Sequence, residues 1–310
     1  MKKVGIIGGS GFIGSYNTKK FLEEGYNVKV SSTDVTKAEK YEHLKALPNA
    51  DKMEIVQLNV EDKSQLADFV KGCNIVIHGG TPFQLNVNDP KSELFDPTIN
   101  GTKNFLQIVK NTPTVEKIVF IASVAAHNTN FPLLPNGKSP GDTISEKDEP
   151  FMSEESHPYA QAKFIANQTV NKFMAENPDL DFEITSVSPV FVTGKSLSNR
   201  EDSTSTGMQY LFKNNIAPDP FVQMMFDNNI DFAMVDVENV AEAIYKAATT
   251  KGLHGKIYLL TNESYRISDI SLMLNKKNPE EKPQKIYSND LAKKELGIEF
   301  KSAKESLFSY

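Results

Sequence analysis

Tyr159 and Lys163 stand four residues apart in Tyr-Ala-Gln-Ala-Lys. On a helix, residues i and i+4 share a face. A lysine ammonium so placed favours the phenolate of a phenol whose free pKa is about 10, so the pair can give or take a proton near neutral pH. The spacing alone is uninformative, because Tyr16…Lys20 and Tyr41…Lys45 repeat it. Position separates the three. Tyr16 falls on the helix after a glycine-rich turn and Tyr41 on a surface-type segment. Tyr159 opens a helix after the fifth strand and its long loop. Ser123 sits just past that fifth strand, in Phe-Ile-Ala-Ser-Val-Ala. Ligands of open parallel sheets bind beyond the carboxyl ends of strands. The Ser123 hydroxyl can hold a substrate oxygen there, or simply bond local backbone. No Gly-x-Ser-x-Gly elbow surrounds it, which sets aside a hydrolase nucleophile. Five histidines without a His-x-x-x-His pair give no metal site.

Gly9-Ser10-Gly11-Phe12-Ile13-Gly14 matches Gly-x-Gly-x-x-Gly, after an apolar strand and at the opening of a helix. The glycines permit a tight turn and close backbone approach to a pyrophosphate. The helix end adds free amides and a positive dipole. Gly194-Lys195-Ser196 and Gly137-Lys138-Ser139 resemble the end of a Walker loop. Pro189 and Pro132 stand where each would need its first glycine, so neither matches. At the adenosine end, Asp34 lies 20 residues past Gly14, the usual distance of an acid that holds ribose hydroxyls. It follows Ser31-Ser32-Thr33 and reads equally as a turn or cap residue. Lys37 and Lys40 can reach a 2′-phosphate or form a solvated face.

These residues need a frame that brings them to one edge. Val4–Ile7, Val28–Ser31, Ile55–Leu58, Ile75–His78 and Lys117–Ala122 read as strands. Phe12–Glu24, Lys37–Leu47, Ser64–Val70 and Pro97–Lys110 read as helices between them. The alternation implies an α/β fold, a Rossmann-type doubly wound parallel sheet with helices on both faces. Residues 128 to 158 read as a long loop, and 194 to 230 as irregular and apolar-aromatic. Tyr159–Glu176, Val237–Ala248 and Ser268–Asn275 read as helices, Ile184–Val187 and Ile257–Leu260 as strands. The expected division is a dinucleotide-binding domain over 1–190, completed by 231–262. Residues 191–230 and 263–310 form a small C-terminal substrate-binding lobe.

The chain has 310 residues, 39% hydrophobic and 24% charged, which is ordinary globular usage. Its net charge is −6, with no clustered basic excess, so nucleic acid is not an expected partner. The one cysteine, Cys73, excludes an intramolecular disulfide framework and suits a reducing compartment. No apolar run approaches the roughly 18 residues of a membrane span, and the apolar stretch after Lys2-Lys3 is too short for a signal peptide. The expected location is cytoplasmic, without a membrane partner. Oligomeric state stays open, a homodimer included.

In motif order the chain resembles the extended short-chain dehydrogenase/reductase family, in the NAD-dependent epimerase/dehydratase superfamily. Within it the chain is similar to the dihydroflavonol reductase and cinnamoyl-CoA reductase branch. The resemblance runs from about residue 3 to about residue 300. The family's glycine motif falls on Gly8, Gly11 and Gly14, and its strand-three Asp-Leu on Asn59-Val60, a departure at an adenine contact. The fourth-strand motif reads His78-Gly79-Gly80-Thr81-Pro82, and the next helix Asn100-Gly-Thr-Lys-Asn104. The catalytic Ser, Tyr and Lys fall on Ser123, Tyr159 and Lys163. The later Asn-Pro reads Ser188-Pro189, followed by Val192 and Gly194. The resemblance implies cofactor contacts from Gly8, Gly11, Phe12, Ile13, Gly14, Thr33, Asp34, Lys40, Asn59, Val60, Gly79, Gly80, Thr81, Tyr159, Lys163, Pro189 and Val192. NAD-users tend to carry an acid near Ser32 and NADP-users an arginine near Thr33. This chain has neither, and Lys40 resembles a lysine used on the 2′-phosphate, which favours NADP(H) over NAD(H).

The first expectation is therefore an NAD(P)H-dependent carbonyl reductase or alcohol dehydrogenase acting on a small apolar or aromatic substrate. Tyr159 is its general acid/base, and Pro82, Phe83, His127, Asn128 and Phe191 line its pocket. Met208, Tyr210, Phe212, Phe221, Met224, Met225 and Phe226 lie in the same apolar-aromatic stretch, about half of them as plain core. One alternative is a nucleotide-sugar epimerase or dehydratase with tightly bound NAD. It needs cationic clamps, and the chain has only two arginines, Arg200 and Arg266. The other is a non-enzymatic nicotinamide sensor on the same fold.

Overall fold

The computed structural model describes residues 2–79, 89–200 and 203–310. In chain order the regular elements are β1 (Lys3–Ile7), α1 (Phe12–Glu23), β2 (Asn27–Ser32), β3 (Met53–Gln57), α2 (Lys63–Val70), β4 (Ile75–His78), α3 (Asp96–Lys110), β5 (Lys117–Ile121), α4 (Pro158–Glu176), β6 (Glu183–Pro189) and β7 (Phe191–Thr193). There follow α5 (Thr204–Asn214), α6 (Pro220–Asp227), β8 (Asp231–Asp236), α7 (Val237–Thr249), β9 (Ile257–Leu260), β10 (Glu263–Arg266), α8 (Ile267–Leu274), α9 (Asp290–Leu296) and α10 (Ala303–Ser309).

Among the described residues, seven strands form a parallel sheet in the order β3-β2-β1-β4-β5-β6-β9. The order reverses between β1 and β4, where doubly wound folds open a crevice at the carboxyl edge. Apart from the edge strand β3, the strands of this sheet are largely buried on both faces. Alternate residues go to opposite cores. Ile75, Ile77, Val119 and Ile121 join the face shared with Tyr16, Val240 and Ile244, whereas Val76, Ile118 and Phe120 join Leu66, Phe105 and Leu106.

A second sheet, β10-β8-β7, carries the small lobe. Asp231–Asp236 pairs there, parallel to Phe191–Thr193 and antiparallel to Glu263–Arg266. It does not extend the main sheet, which Ile257–Leu260 closes against β6. The stretch 194–230, expected to be irregular, contains α5 and α6. Their apolar faces, with Phe191, Phe212, Met225 and Phe232, form a third core. Lys37–Leu47 is not one α-helix but two short 3₁₀ pieces, Ala38–Lys40 and Glu42–Ala46. Residues 128–157 hold no helix or strand, only isolated bridges from Asn128 to Phe151 and from Ile144 to Tyr287, and α4 takes in Pro158. No helix among the described residues is long and apolar enough to cross a membrane.

Candidate active site

The carboxyl edge of the main sheet gathers most of the residues singled out above. After β1 the chain turns at Gly8, whose φ of 78° lies in the left-handed region. The Gly8 N–H donates to Ser31 Oγ at 2.9 Å, and Thr18 Oγ1 donates to the Gly9 carbonyl at 2.9 Å. These two hydroxyls fasten the turn to β2 and to α1; neither stands out in the sequence. A Cβ on Gly14 would lie 1.9 Å from the Gly8 carbonyl oxygen, so only glycine lets the helix start this close to the turn. Gly11 caps α1 with no side-chain bond to its first amides. The α2, α6 and α7 ends, by contrast, are capped by Asp62, Asp219 and Asp236. An open amide end above a glycine-rich turn fits a pyrophosphate.

At the adenosine side, Asp34 accepts from the Thr36 amide at 3.0 Å and the Thr36 hydroxyl at 2.6 Å. These bonds hold its carboxyl below the usual range. Lys40 Nζ donates to Thr33 Oγ1 at 2.7 Å. Asn59 builds a local turn, its amide donating to Gln65 Oε1 and its Oδ1 accepting from the Glu61 amide. Gly79, just past β4, donates its N–H to the Ile7 carbonyl at 3.0 Å, and a Cβ there would stand 2.3 Å from that oxygen. The expected contacts at Gly80, Thr81, Pro82 and Phe83 lie outside the described residues.

Ser123 ends β5 and caps a 3₁₀ turn, Val124–Ala126, its Oγ accepting from the Ala125 amide at 3.2 Å. The α4 helix packs on this turn. Pro158 occupies the first turn of α4, and His157 Nδ1 accepts from the Tyr159 amide at 3.2 Å. Tyr159 thus stands in the first turn of the helix that packs on the Ser123 turn. One turn on, Lys163 is buried, its Nζ 5.6 Å from the Tyr159 ring centroid. The other two Tyr-x-x-x-Lys pairs are used differently. Tyr16 donates its hydroxyl to the Lys195 carbonyl and Lys20 pairs with Glu24 and Glu242, while Tyr41 donates to the Val35 carbonyl. A cavity of about 30 Å³ adjoins Lys163, with His78, Thr102, Asn167 and Ser186 in its lining. Burial, and then the Lys163 charge, push the His78 pKa down to about 4, so the imidazole there is neutral.

Two of the residues assigned to a substrate pocket serve the fold. Asn128 is fully buried. Its Nδ2 donates to the Leu133 carbonyl and to Tyr287 Oη, and its Oδ1 accepts from the Asn130 amide. That carboxamide ties the long loop down and has no donor left for a substrate. Phe191 is buried edge-on against Phe212 and Phe232 in the small-lobe core. His127 is buried, its Nε2 without a hydrogen-bond partner among the described residues and its pKa lowered to about 4 by desolvation. Of the apolar-aromatic set, Phe212 and Met225 are core, whereas Tyr210 and Phe221 are exposed. Pro189 ends β6, and Val192 is buried in β7.

Comparison with known proteins agrees with this geometry. Residues 4–261 match the model of the NAD dependent epimerase/dehydratase family. The chain belongs to that family. It is an NAD(P)-dependent oxidoreductase of the short-chain dehydrogenase/reductase type. It is 28% identical to a cinnamoyl-CoA reductase of Medicago truncatula, over 95% of this chain and 90% of the relative. It is 26% identical to a bifunctional dihydroflavonol 4-reductase/flavanone 4-reductase of Pyrus communis, over 99% of this chain and 88% of the relative. The yeast methylglyoxal/isovaleraldehyde reductase complexed with NADPH superposes with a TM-score of 0.77 at 23% identity, over 98% of this chain and 96% of that one.

Proposed function

We propose that this protein is a carbonyl reductase that prefers NADPH and converts a small apolar or aromatic aldehyde or ketone to the alcohol. The observation that carries the reading is Lys163 beneath Tyr159 on a helix packed on the Ser123 turn, at the same sheet edge as the open glycine turn. Both curated relatives named above are reductases, and the yeast neighbour is named for methylglyoxal and isovaleraldehyde and bound to NADPH. These names favour carbonyl reduction with NADPH.

The bound dinucleotide supplies the hydride. Gly11 to Gly14 would hold its pyrophosphate, with Thr33 and Lys40 at the adenosine end. Ser123 Oγ accepts from the Ala125 amide, which leaves its O–H to donate to the substrate oxygen. As negative charge develops on that oxygen, the Tyr159 hydroxyl protonates it and Lys163 stabilises the phenolate that remains. Solvent water restores the Tyr159 proton.

Neither arginine is placed as a clamp for a substrate diphosphate. Arg266 pairs with Glu281 at 2.9 Å, and Arg200 donates to the Lys40 carbonyl at 3.1 Å. This favours the reductase over the sugar-nucleotide reading. The test is NADPH and NADH oxidation with aliphatic, aryl, dicarbonyl and cyclic-ketone substrates, beside Tyr159→Phe. A wild-type turnover that falls by about 10²–10⁴ in the variant is expected, with NADPH binding retained. No turnover across the panel despite cofactor binding would overturn the reading.

A further inference from the structure

Arg200 is one of two arginines in the chain, and the catalytic reading does not use it. It rides on the loop between β7 and α5, which is fastened at two points. Gln209, fully buried on α5, accepts from the Gly194 amide at 3.0 Å and donates to the Gly194 carbonyl at 3.2 Å. Tyr16, on the helix that opens at the glycine turn, donates its hydroxyl to the Lys195 carbonyl at 2.7 Å. Leu197 then packs against the main core. The loop is thereby carried back across α1 to the end of β2, where Arg200 Nη1 donates to the Lys40 carbonyl at 3.1 Å.

The same Lys40 holds Thr33 Oγ1 through its ammonium. Thr33 is the first residue past β2, the position at which doubly wound folds meet the adenosine ribose. His43 lies close by. Ser15 gives its only hydroxyl hydrogen to the Gly11 carbonyl at 2.7 Å, so the 2.8 Å contact with His43 Nε2 makes that nitrogen the donor. Burial and the Arg200 charge both lower the His43 pKa. Asp34, at the same end of β2, is bonded to Thr36 and lies in the field of Lys37 and Lys40. Two segments distant in sequence therefore meet at the ribose end: the one that carries Lys37 and Lys40 beside Asp34, and the loop whose Arg200 bonds the Lys40 carbonyl.

We propose that Arg200 is a second cationic contact, with Lys40, for the 2′-phosphate of NADPH. Its planar fork of donors matches a phosphate as a lysine point charge does not. The chain thus supplies from a remote loop the guanidinium that is absent beside Thr33. This inference rests on the NADPH preference proposed above, but not on the carbonyl chemistry.

The experiment is fluorescence titration of the wild type, Arg200→Ala, Arg200→Lys and Lys40→Ala with NADPH and NADH, without substrate. Displacement by 2′,5′-ADP and by 5′-AMP provides a second readout. Arg200→Ala should weaken NADPH and 2′,5′-ADP by about tenfold or more, a loss of about 1.4 kcal/mol per tenfold, while NADH and 5′-AMP stay within about twofold. Arg200→Lys should recover part of the loss. Unchanged NADH binding shows that the variant is folded. An unchanged NADPH-to-NADH ratio in Arg200→Ala, an equal loss for both cofactors, or no NADPH preference in the wild type overturns the proposal. Because the readout needs no turnover, a failure of the reductase reading is seen separately.

Discussion

A Cβ built on Gly14 would stand 1.9 Å from the Gly8 carbonyl oxygen and 2.8 Å from Gly9 Cα, both rigid backbone, whereas one on Gly11 meets that oxygen at 3.4 Å. The two glycines share a motif but not a tolerance. Gly14→Ala should abolish saturable nicotinamide binding below millimolar cofactor, or leave the protein insoluble. Gly11→Ala should fold normally and keep measurable affinity. Titration with NADPH, beside a circular dichroism melt, checks the contrast, and normal binding by Gly14→Ala would refute it. Spacing revealed these glycines because a phosphate turn restricts residue type locally. It could not reveal Ser31, Thr18 or Arg200, whose places depend on contacts across 23, 9 and 160 residues of chain. Nor could spacing reveal what holds Asn128. A polar residue beside a catalytic strand end suggests a ligand contact, yet its partners Leu133 and Tyr287 satisfy it internally.

At the element scale the strands of the parallel sheet, though not their order, were legible because strands buried on both faces read as apolar runs between helices. The small lobe was less so. In Thr204–Asn214 and Pro220–Asp227, aromatic and methionine residues blur helical periodicity. The clearest signal was a pair, Asp219-Pro220, which caps and opens α6. Lys37–Leu47 has helical spacing, but the chain forms two 3₁₀ turns there that meet at Tyr41. Caps also carry measurable stability. Asp236, buried at the start of α7, accepts from the Glu238 amide at 2.8 Å and lies 3.7 Å from Lys301. Removing it opens the end of the helix that packs along α1. Asp236→Ala should cost about 1–2 kcal/mol and Asp236→Asn clearly less, read from urea midpoints at pH 7. Equal losses would mean that the charge, not the cap, matters.

For the whole molecule, two buried histidines set how stability responds to acid. His78 and His127 have folded pKa values pushed down to about 4, chiefly by desolvation, against an ordinary value of 6.5. Below about pH 6.5 the unfolded chain binds protons that the folded chain refuses. The unfolding free energy therefore falls as pH drops, until the folded imidazoles titrate near 4. Each site contributes on the order of 3 kcal/mol over that window. Glu146 and Asp231 act in the opposite sense, since burial raises their carboxyl pKa and protonation favours the folded form. Carboxylates held low, such as Asp148 at about 2, lose their contribution only at more acid pH. His43 and His157, whose pKa values burial also lowers, act in the same sense as His78 and His127. Urea unfolding at pH 7, 6, 5 and 4.5 should show a loss that is smaller in His127→Gln, whose neutral amide fills the buried site without a proton to refuse. The variant will be less stable at pH 7 if its amide lacks partners, so the slope against pH, not the absolute stability, is the deciding quantity. A slope unchanged from the wild type would show that His127 is not the group resisting protonation.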